Sequence, residues 1–217
     1  MVKIYLVRHA EAQGNVEEFF QGHIDTDVSE KGRKQLECLA ERFKDIPIEE
    51  VYTSPLRRAR ATAEAVNKYH SLPLTVDPHI IEIYAGDWEG VRWSELPEKF
   101  PHEYELWSKQ INKFKAPHGE STRQVYDRMK LAMRNIAAEN NGKTIAVISH
   151  GMAIKAYLNY ADGREWENYA DPGWSDNTAV SLIEYDDELM PHIIFKNDSS
   201  HLKDGLSTLA VSKWCKK

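Results

Sequence analysis

Two β-branched and nearly unbroken apolar runs, residues 2–7 (VKIYLV) and Thr144–Ser149 (TIAVIS), constrain the fold of this chain more than any other feature. A strand with one wet face alternates apolar and polar residues, whereas these runs have the character of strands covered on both sides, as in a parallel sheet flanked by helices. Shorter strand candidates lie at 51–53, Leu74–Val76, 179–185 and 192–195, and segments of helical period separate them. A helix over Glu30–Phe43 sets Leu36, Leu39, Ala40 and Phe43 on one face, and one over 122–138 does the same for Val125, Met129, Ala132 and Ile136. Ser121 with Gln124 is a capping-box pattern that starts the second helix. The expectation is an α/β fold, a mostly parallel sheet with helices on both faces. At 217 residues one domain over 1–217 is expected, with no linker, low-complexity tract or internal repeat. Residues 93–117 carry Trp93, Phe100, Tyr104, Trp107 and Phe114 among charges, punctuated by Pro97, Pro101 and Pro117. They read as a helical insertion over one end of the sheet, either a lid or a plain amphipathic surface element. Residues 202–217 read as a helix or a frayed tail.

Charge excludes several function classes. Lys+Arg total 28 against 34 Asp+Glu, a net charge of −6, so no whole-molecule basic footprint for nucleic acid or anionic lipid exists. An anionic substrate would have to be attracted by local groups. The first apolar run, bounded by Lys3 and Arg8, is too short for a signal segment or a membrane span. Cys38 and Cys215 lie far apart and outside any CxxC pattern, which argues against a disulfide framework and a zinc site. A cytoplasmic location, with no membrane partner, is expected.

In an open α/β sheet, ligands bind beyond the carboxyl ends of the strands. Both apolar runs end in the same chemistry: the first in Arg8-His9, the second in His150-Gly151. A lone histidine after a strand is usually a satisfied structural residue, but two such ends, one with an adjacent arginine, favour a site. After the strand at 51–53 comes Ser54-Pro55-Leu56-Arg57-Arg58-Ala59-Arg60, in which Ser54 suits an N-cap and Pro55 the first helical position. Three arginines then crowd the positive end of the helix dipole, at a cost of ~0.3–1 kcal/mol each. A phosphate dianion on the free amides and one guanidinium would reverse that penalty. The structural alternative is that Arg57 and Arg60 turn outward to acidic neighbours. Glu82, within IIEIYAGDWEG, is a carboxylate in an apolar and aromatic stretch, where desolvation would raise its pKa towards that of a general acid. Asp87 and Glu89, flanked by Gly86 and Gly90, read as turn residues.

These pieces, in this order, resemble the histidine phosphatase superfamily in its phosphoglycerate mutase-like branch. The matching residues are LVRHAEA from Leu6 with Asn15; Phe20-Gln21-Gly22-His23-Ile24-Asp25 with Ser29 and Gly32; Thr53-Ser54-Pro55-Leu56-Arg57-Arg58-Ala59 with Thr62-Ala63; Glu82 with Gly86, Trp88, Glu89 and Gly90; His118-Gly119-Glu120-Ser121; and Val147-Ile148-Ser149-His150-Gly151. Asn177-Thr178-Ala179 and residues 197–202 also look familiar. The resemblance implies a three-layer α/β/α fold and a phosphohistidine formed on His9. It implies that Arg8, Arg58 and a protonated His150 balance charge on the phosphoryl oxygens, that Glu82 is the proton donor, and that Arg8, Asn15, Gly22, Arg58, His150 and Gly151 contact substrate. No metal is implied, and no HExxH or carboxylate cluster is available to hold one. Two departures stand out. Ala10 replaces the usual glycine after the nucleophile, and Ala12 stands where a hydroxyl is common. The acid phosphatase branch, marked by RHGxRxP and His-Asp, is disfavoured by Glu11-Ala12-Gln13 and His150-Gly151.

Three functions fit that set: a metal-independent phosphomonoester hydrolase of small phosphorylated metabolites, a phosphoglycerate mutase dependent on 2,3-bisphosphoglycerate, and a non-catalytic phosphate-binding module. The insertion carries Lys99, Lys109, Lys113 and Lys115 but no arginine, which favours the hydrolase over a mutase that must grip a bisphosphate. The expected partner is a small phosphorylated metabolite, with no nucleic acid, and the chain is expected to be a monomer or homodimer.

Overall fold

The computed structural model describes residues 1–203 and 205–210. Its strands are β1 (Val2–Arg8), β2 (Glu50–Thr53), β3 (Leu74–Val76), β4 (Thr144–Ser149), β5 (Val180–Tyr185) and β6 (Pro191–Asp198). They form a six-stranded sheet in the order β3-β2-β4-β1-β5-β6. The first four positions of that order are parallel, and β5 and β6 close one side antiparallel. The two apolar runs are β1 and β4, side by side at the centre, as their double-sided hydrophobicity requires.

The helices are α1 (Gln13–Val16), α2 (Glu30–Phe43), α3 (Arg57–Val66), α4 (Leu96–Lys99), α5 (Pro101–Lys109), α6 (Thr122–Glu139) and α7 (Gly151–Ala161). Alternate strand residues face alternate layers. Ile4, Leu6, Ile145 and Val147 pack with Val125, Met129, Met133 and Ile136 of α6 and with Ala153 and Tyr157 of α7. Val7, Val51, Ala146 and Ile148 pack on the other face with Leu39 and Phe43 of α2 and Ala59, Ala63 and Val66 of α3. The α6 capping box forms: the Ser121 amide donates to Gln124 Oε1 (2.8 Å) and the Gln124 amide to Ser121 Oγ (3.2 Å). Helix α2 begins where Ser29 Oγ accepts from the Gly32 amide (2.9 Å). Residues 93–117 fold as α4, α5 and a 3₁₀ turn at Ile111–Lys113, and their aromatic side chains pack on the α6–α7 layer through buried Phe114 and Trp88.

One local expectation fails. The helix expected from Ser54 and Pro55 starts later, at Arg57, and its first amide donates to Asp25 Oδ1 (2.7 Å) instead of a local cap. A carboxylate brought by the chain thus takes the anion position at this helix end. Residues 202–210, apart from Asp204, form turns and irregular backbone rather than a helix, anchored where Thr208 Oγ1 donates to Glu11 Oε2 (3.1 Å). Asp204 and residues 211–217, Cys215 among them, lie outside the described residues. Among the described residues no helix is long and apolar enough to cross a membrane.

Phe43 is fully buried and meets Tyr5 edge-on, with ring centroids 5.6 Å apart. Phe43→Ala is expected to cost about 3–5 kcal/mol of stability, read as a lowered urea midpoint with an unchanged denaturant slope.

Candidate active site

Strand register builds the site. Arg8 pairs with Ser149 and Thr53 with Ile148, so the residues after the strands, His9, Ser54 and His150, emerge together. The ladder continues one step further: the His9 amide donates to the Ser149 carbonyl (3.0 Å) and the Ser54 amide to that of Ile148 (3.1 Å). The His9 and His150 rings lie with centroids 5.0 Å apart, both rings almost wholly removed from solvent.

The ring of His9 has one defined tautomer. Its Nδ1 lies 2.7 Å from the Ala10 carbonyl, which can only accept, so the proton is on Nδ1. Burial, then Arg58 and Arg8, hold its pKa well below 6.5, against a smaller upward pull from that carbonyl. The neutral ring therefore presents an Nε2 lone pair. Neighbouring groups fix the loop: the Ala10 amide donates to Thr62 Oγ1 (3.0 Å) and Asn177 Nδ2 to the His9 carbonyl (2.8 Å). His150 Nε2 shares a 2.7 Å hydrogen bond with Ser54 Oγ. Burial, then Arg58 and His9, push its pKa well below 6.5 as well. The protonated His150 expected above is thus not the form that these surroundings favour, and only an anion placed against the ring would oppose them.

Both guanidiniums are buried, Arg8 at 4% and Arg58 at 1% exposure. Backbone carbonyls hold them: Arg8 Nη1 donates to Ser175 (2.5 Å), and Arg58 Nη1 and Nη2 to Ile24 (2.7 Å) and Gly22 (2.8 Å). Burial lowers the Arg58 pKa to about 10, with Glu82 and Asp25 opposing, so the group stays charged at neutral pH. Arg58 Nε and His150 Nδ1 are buried without a hydrogen-bond partner among the described residues. Buried polar atoms in that condition are rare in folded proteins and call for a functional account. Arg57, by contrast, is exposed and pairs with Asp27 (3.0 Å) and Asp25 (3.5 Å), and Arg60 is also exposed.

Glu82 sits in a more polar setting than its apolar neighbours in sequence suggest. Its carboxylate accepts from the amides of Ile83 (2.9 Å), Met152 (3.1 Å) and Ala153 (3.1 Å), the latter two in the first turn of α7. A helix N-terminus is a ready anion site, and here a side chain of the protein occupies it.

Arg8, His9, Asn15, Gly22, Arg58, Glu82 and Gly151 all line one cavity of about 60 Å³. His150 is not among the lining residues; its ring lies beside that of His9, with Nδ1 unpartnered among the described residues. Asn15 Oδ1 accepts from the Ala12 amide (3.0 Å), which leaves its NH₂ group as the donor it can offer. Gly22 has φ +50°, and a Cβ there would fall 2.2 Å from Glu89 Oε1, so only glycine fits. Gly151 is not required by space, since a Cβ there would meet the Arg8 guanidinium at 3.6 Å, an ordinary van der Waals contact.

Several neighbours had no role in the sequence reading. Ser54 was a presumed cap, Thr62 and Asn177 were only motif residues, and Glu89 looked like a turn residue. Glu89 Oε1 in fact accepts from His23 (2.8 Å) and Ala85 (3.1 Å) amides and so pins the loop that carries Gly22. Trp174, far away in sequence, joins Trp93 and Trp107 at the cavity rim, and these three rings also line an adjoining groove of about 840 Å³. Among the described residues no group of three or more His, Cys, Asp or Glu side chains is placed to hold a metal ion.

A family model described as histidine phosphatase superfamily (branch 1) matches residues 4–198. Phosphoserine phosphatase 1 of Hydrogenobacter thermophilus is 32% identical over 206 residues, which cover 93% of this chain and 95% of that protein. Phosphoglycerate mutase-like protein 4 of Arabidopsis thaliana is 31% identical over 207 residues, covering 93% of this chain and 87% of that protein. Among solved structures, Bacillus stearothermophilus YhfR matches with a TM-score of 0.88 at 28% identity, over 94% of this chain and 100% of that one.

The two neutral imidazoles make stability pH-dependent. Below about pH 6.5 the unfolded chain binds protons at His9 and His150 that the folded chain does not, so stability is present at neutral pH and lost as pH falls. Each ring contributes a slope approaching about 1.4 kcal/mol per pH unit below that point. His201, lowered to about 4 chiefly by burial, adds to it down to that pH. Urea unfolding across this range should show the decline, and His9→Asn and His150→Asn should each flatten it.

Proposed function

The chain belongs to the histidine phosphatase superfamily, branch 1, and on that premise we propose that it is a metal-independent hydrolase of small phosphomonoesters working through a phosphohistidine on His9. The observation that carries the proposal is the neutral His9 ring, its Nδ1–H given to Ala10 and its Nε2 lone pair free, in a cavity flanked by two buried guanidiniums and a carboxyl group.

Hydrolysis of a phosphate monoester is among the slowest uncatalysed reactions, and no single side chain supplies the needed acceleration. Dividing it into two displacements lowers each barrier. In the first, Nε2 of His9 bonds to phosphorus as the ester P–O bond breaks, and Glu82 in its acid form protonates the departing oxygen. In the second, Glu82 takes a proton from water, whose oxygen displaces His9 and releases inorganic phosphate. Arg8 and Arg58 hold the equatorial oxygens, with His150 and the Asn15 amide as further donors, and the fixed guanidiniums stabilise the charge that a metal ion would otherwise carry.

The rim supports hydrolase over mutase. Trp93, Trp107, Trp174, Phe19, Phe20 and Met152 line the cavity beside the polar groups, and among the described residues no lysine does. Lys99 and Lys109 pair with Glu95 and Glu105 of their own turns, and Lys113 donates to Gln110 (2.8 Å). Each of the three has a local partner, and none of them lines the cavity. A cytoplasmic setting belongs to the same proposal and rests on the widely separated cysteines.

The test is hydrolysis of p-nitrophenyl phosphate with chelator present. His9→Ala should lower turnover by at least about 10³-fold and abolish an acid-labile phosphoenzyme, and Arg58→Ala should lower kcat by roughly 10²–10³-fold. Turnover that survives His9→Ala overturns the proposal. Interconversion of phosphoglycerates that requires 2,3-bisphosphoglycerate and outpaces hydrolysis would establish the mutase instead.

A further inference from the structure

Three carbonyls of the stretch that carries Glu82, the first in a 3₁₀ turn at Pro78–Ile80, converge on one side chain from another element. Arg128 of α6 donates through Nη1 to the carbonyls of His79 (3.0 Å) and Ile81 (2.6 Å), and through Nη2 to that of Glu82 (2.8 Å). Its fork is closed by Glu120, which accepts Nε at 2.9 Å and Nη2 at 3.1 Å. Glu120 in turn accepts the Tyr84 amide (2.8 Å), so the pair spans the segment on both sides of Glu82. Arg128 is absent from the cavity lining and meets Glu82 at its backbone carbonyl, not at its carboxyl group.

What Arg128 controls follows from the peptide plane. The Glu82 carbonyl and the Ile83 amide belong to one rigid, planar unit, so fixing one fixes the other. The Ile83 amide is a donor to Glu82 Oε1 (2.9 Å). Arg128 and His23 Nε2 (2.8 Å) hold the carbonyl end of that plane, and the carboxylate is thereby aimed at the first turn of α7 and the cavity. A guanidinium alone offers five donors in a fixed fork, so lysine cannot reproduce this set.

We infer that Arg128, clamped by Glu120, is the positioning residue for the Glu82 carboxyl group, acting through the 82–83 peptide plane. The inference rests on Glu82 being the proton donor, and the experiment separates the two. A p-nitrophenolate leaves readily without a proton, whereas an alkoxide does not, so loss of a well-placed acid falls on alkyl phosphates. The measurement is kcat/KM, which reports steps through departure of the leaving group, for p-nitrophenyl phosphate and for a primary alkyl phosphate.

Arg128→Lys should lower the alkyl phosphate value by about 10–100-fold, and the p-nitrophenyl value by less than about 3-fold. Glu82→Gln should show the same substrate-selective loss, and Arg128→Lys added to it should produce no further selectivity, as expected of residues acting through one group. Equal losses on both substrates for Arg128→Lys, or none, overturn the inference while leaving the donor reading intact. Equal losses for Glu82→Gln overturn the donor reading and the inference with it. If thermal melting shows Arg128→Lys to be unfolded, Glu120→Gln carries the same test, with the same direction expected and a smaller loss.

Discussion

The parallel pairing of β1 with β4 is the constraint on which everything else depends. Because Arg8 stands opposite Ser149, the next residue of each strand is a histidine, and the two rings meet at 5.0 Å without any loop having to bring them there. A slip of one residue would turn every side chain of a strand to the opposite layer, and both layers here are packed apolar clusters. The core therefore enforces the register, and the register places the chemistry.

That placement is costly. Two guanidiniums and two imidazoles are removed from water within one small region, and a buried ion costs several kcal/mol unless it is well partnered. The protein responds in two ways. The arginines keep their charge and are partnered by the carbonyls of Gly22, Ile24 and Ser175, while the histidines give up theirs and stay neutral. The result is a concentration of fixed positive charge beside an unprotonated ring nitrogen, arranged in advance of any anion, which is the condition for electrostatic stabilisation without reorganisation.

Helix ends show a second economy of design. The first amide of α3 is occupied by Asp25, and the first turn of α7 by Glu82. Both carboxylates come from other parts of the chain. In α3 the effect is to engage the first amide, so that the Arg58 guanidinium is the positive group at the cavity; in α7 it is to hold a carboxylate at the cavity wall. Beyond them, Glu89 pins the Gly22 loop and Arg128 the Glu82 segment, so these two parts of the cavity wall are backed by a second set of contacts.

The sequence by itself determined the parallel centre of the sheet, the two amphipathic helices α2 and α6, and the residue types gathered at the strand ends, because these follow from hydrophobic period and from local caps. It also marked His9, Arg58, Glu82 and His150 through their motifs. The start of α3 was not legible, since Ser54 and Pro55 satisfy every local rule for a helix end, yet the Ser54 hydroxyl is engaged by a histidine 96 residues away. Nor were the polar setting of Glu82, the neutral state of His150 or the part played by Arg128, Asn177 and Trp174. Those depend on burial, on strand order and on hydrogen bonds between distant segments, and such terms exist only once the whole chain has folded.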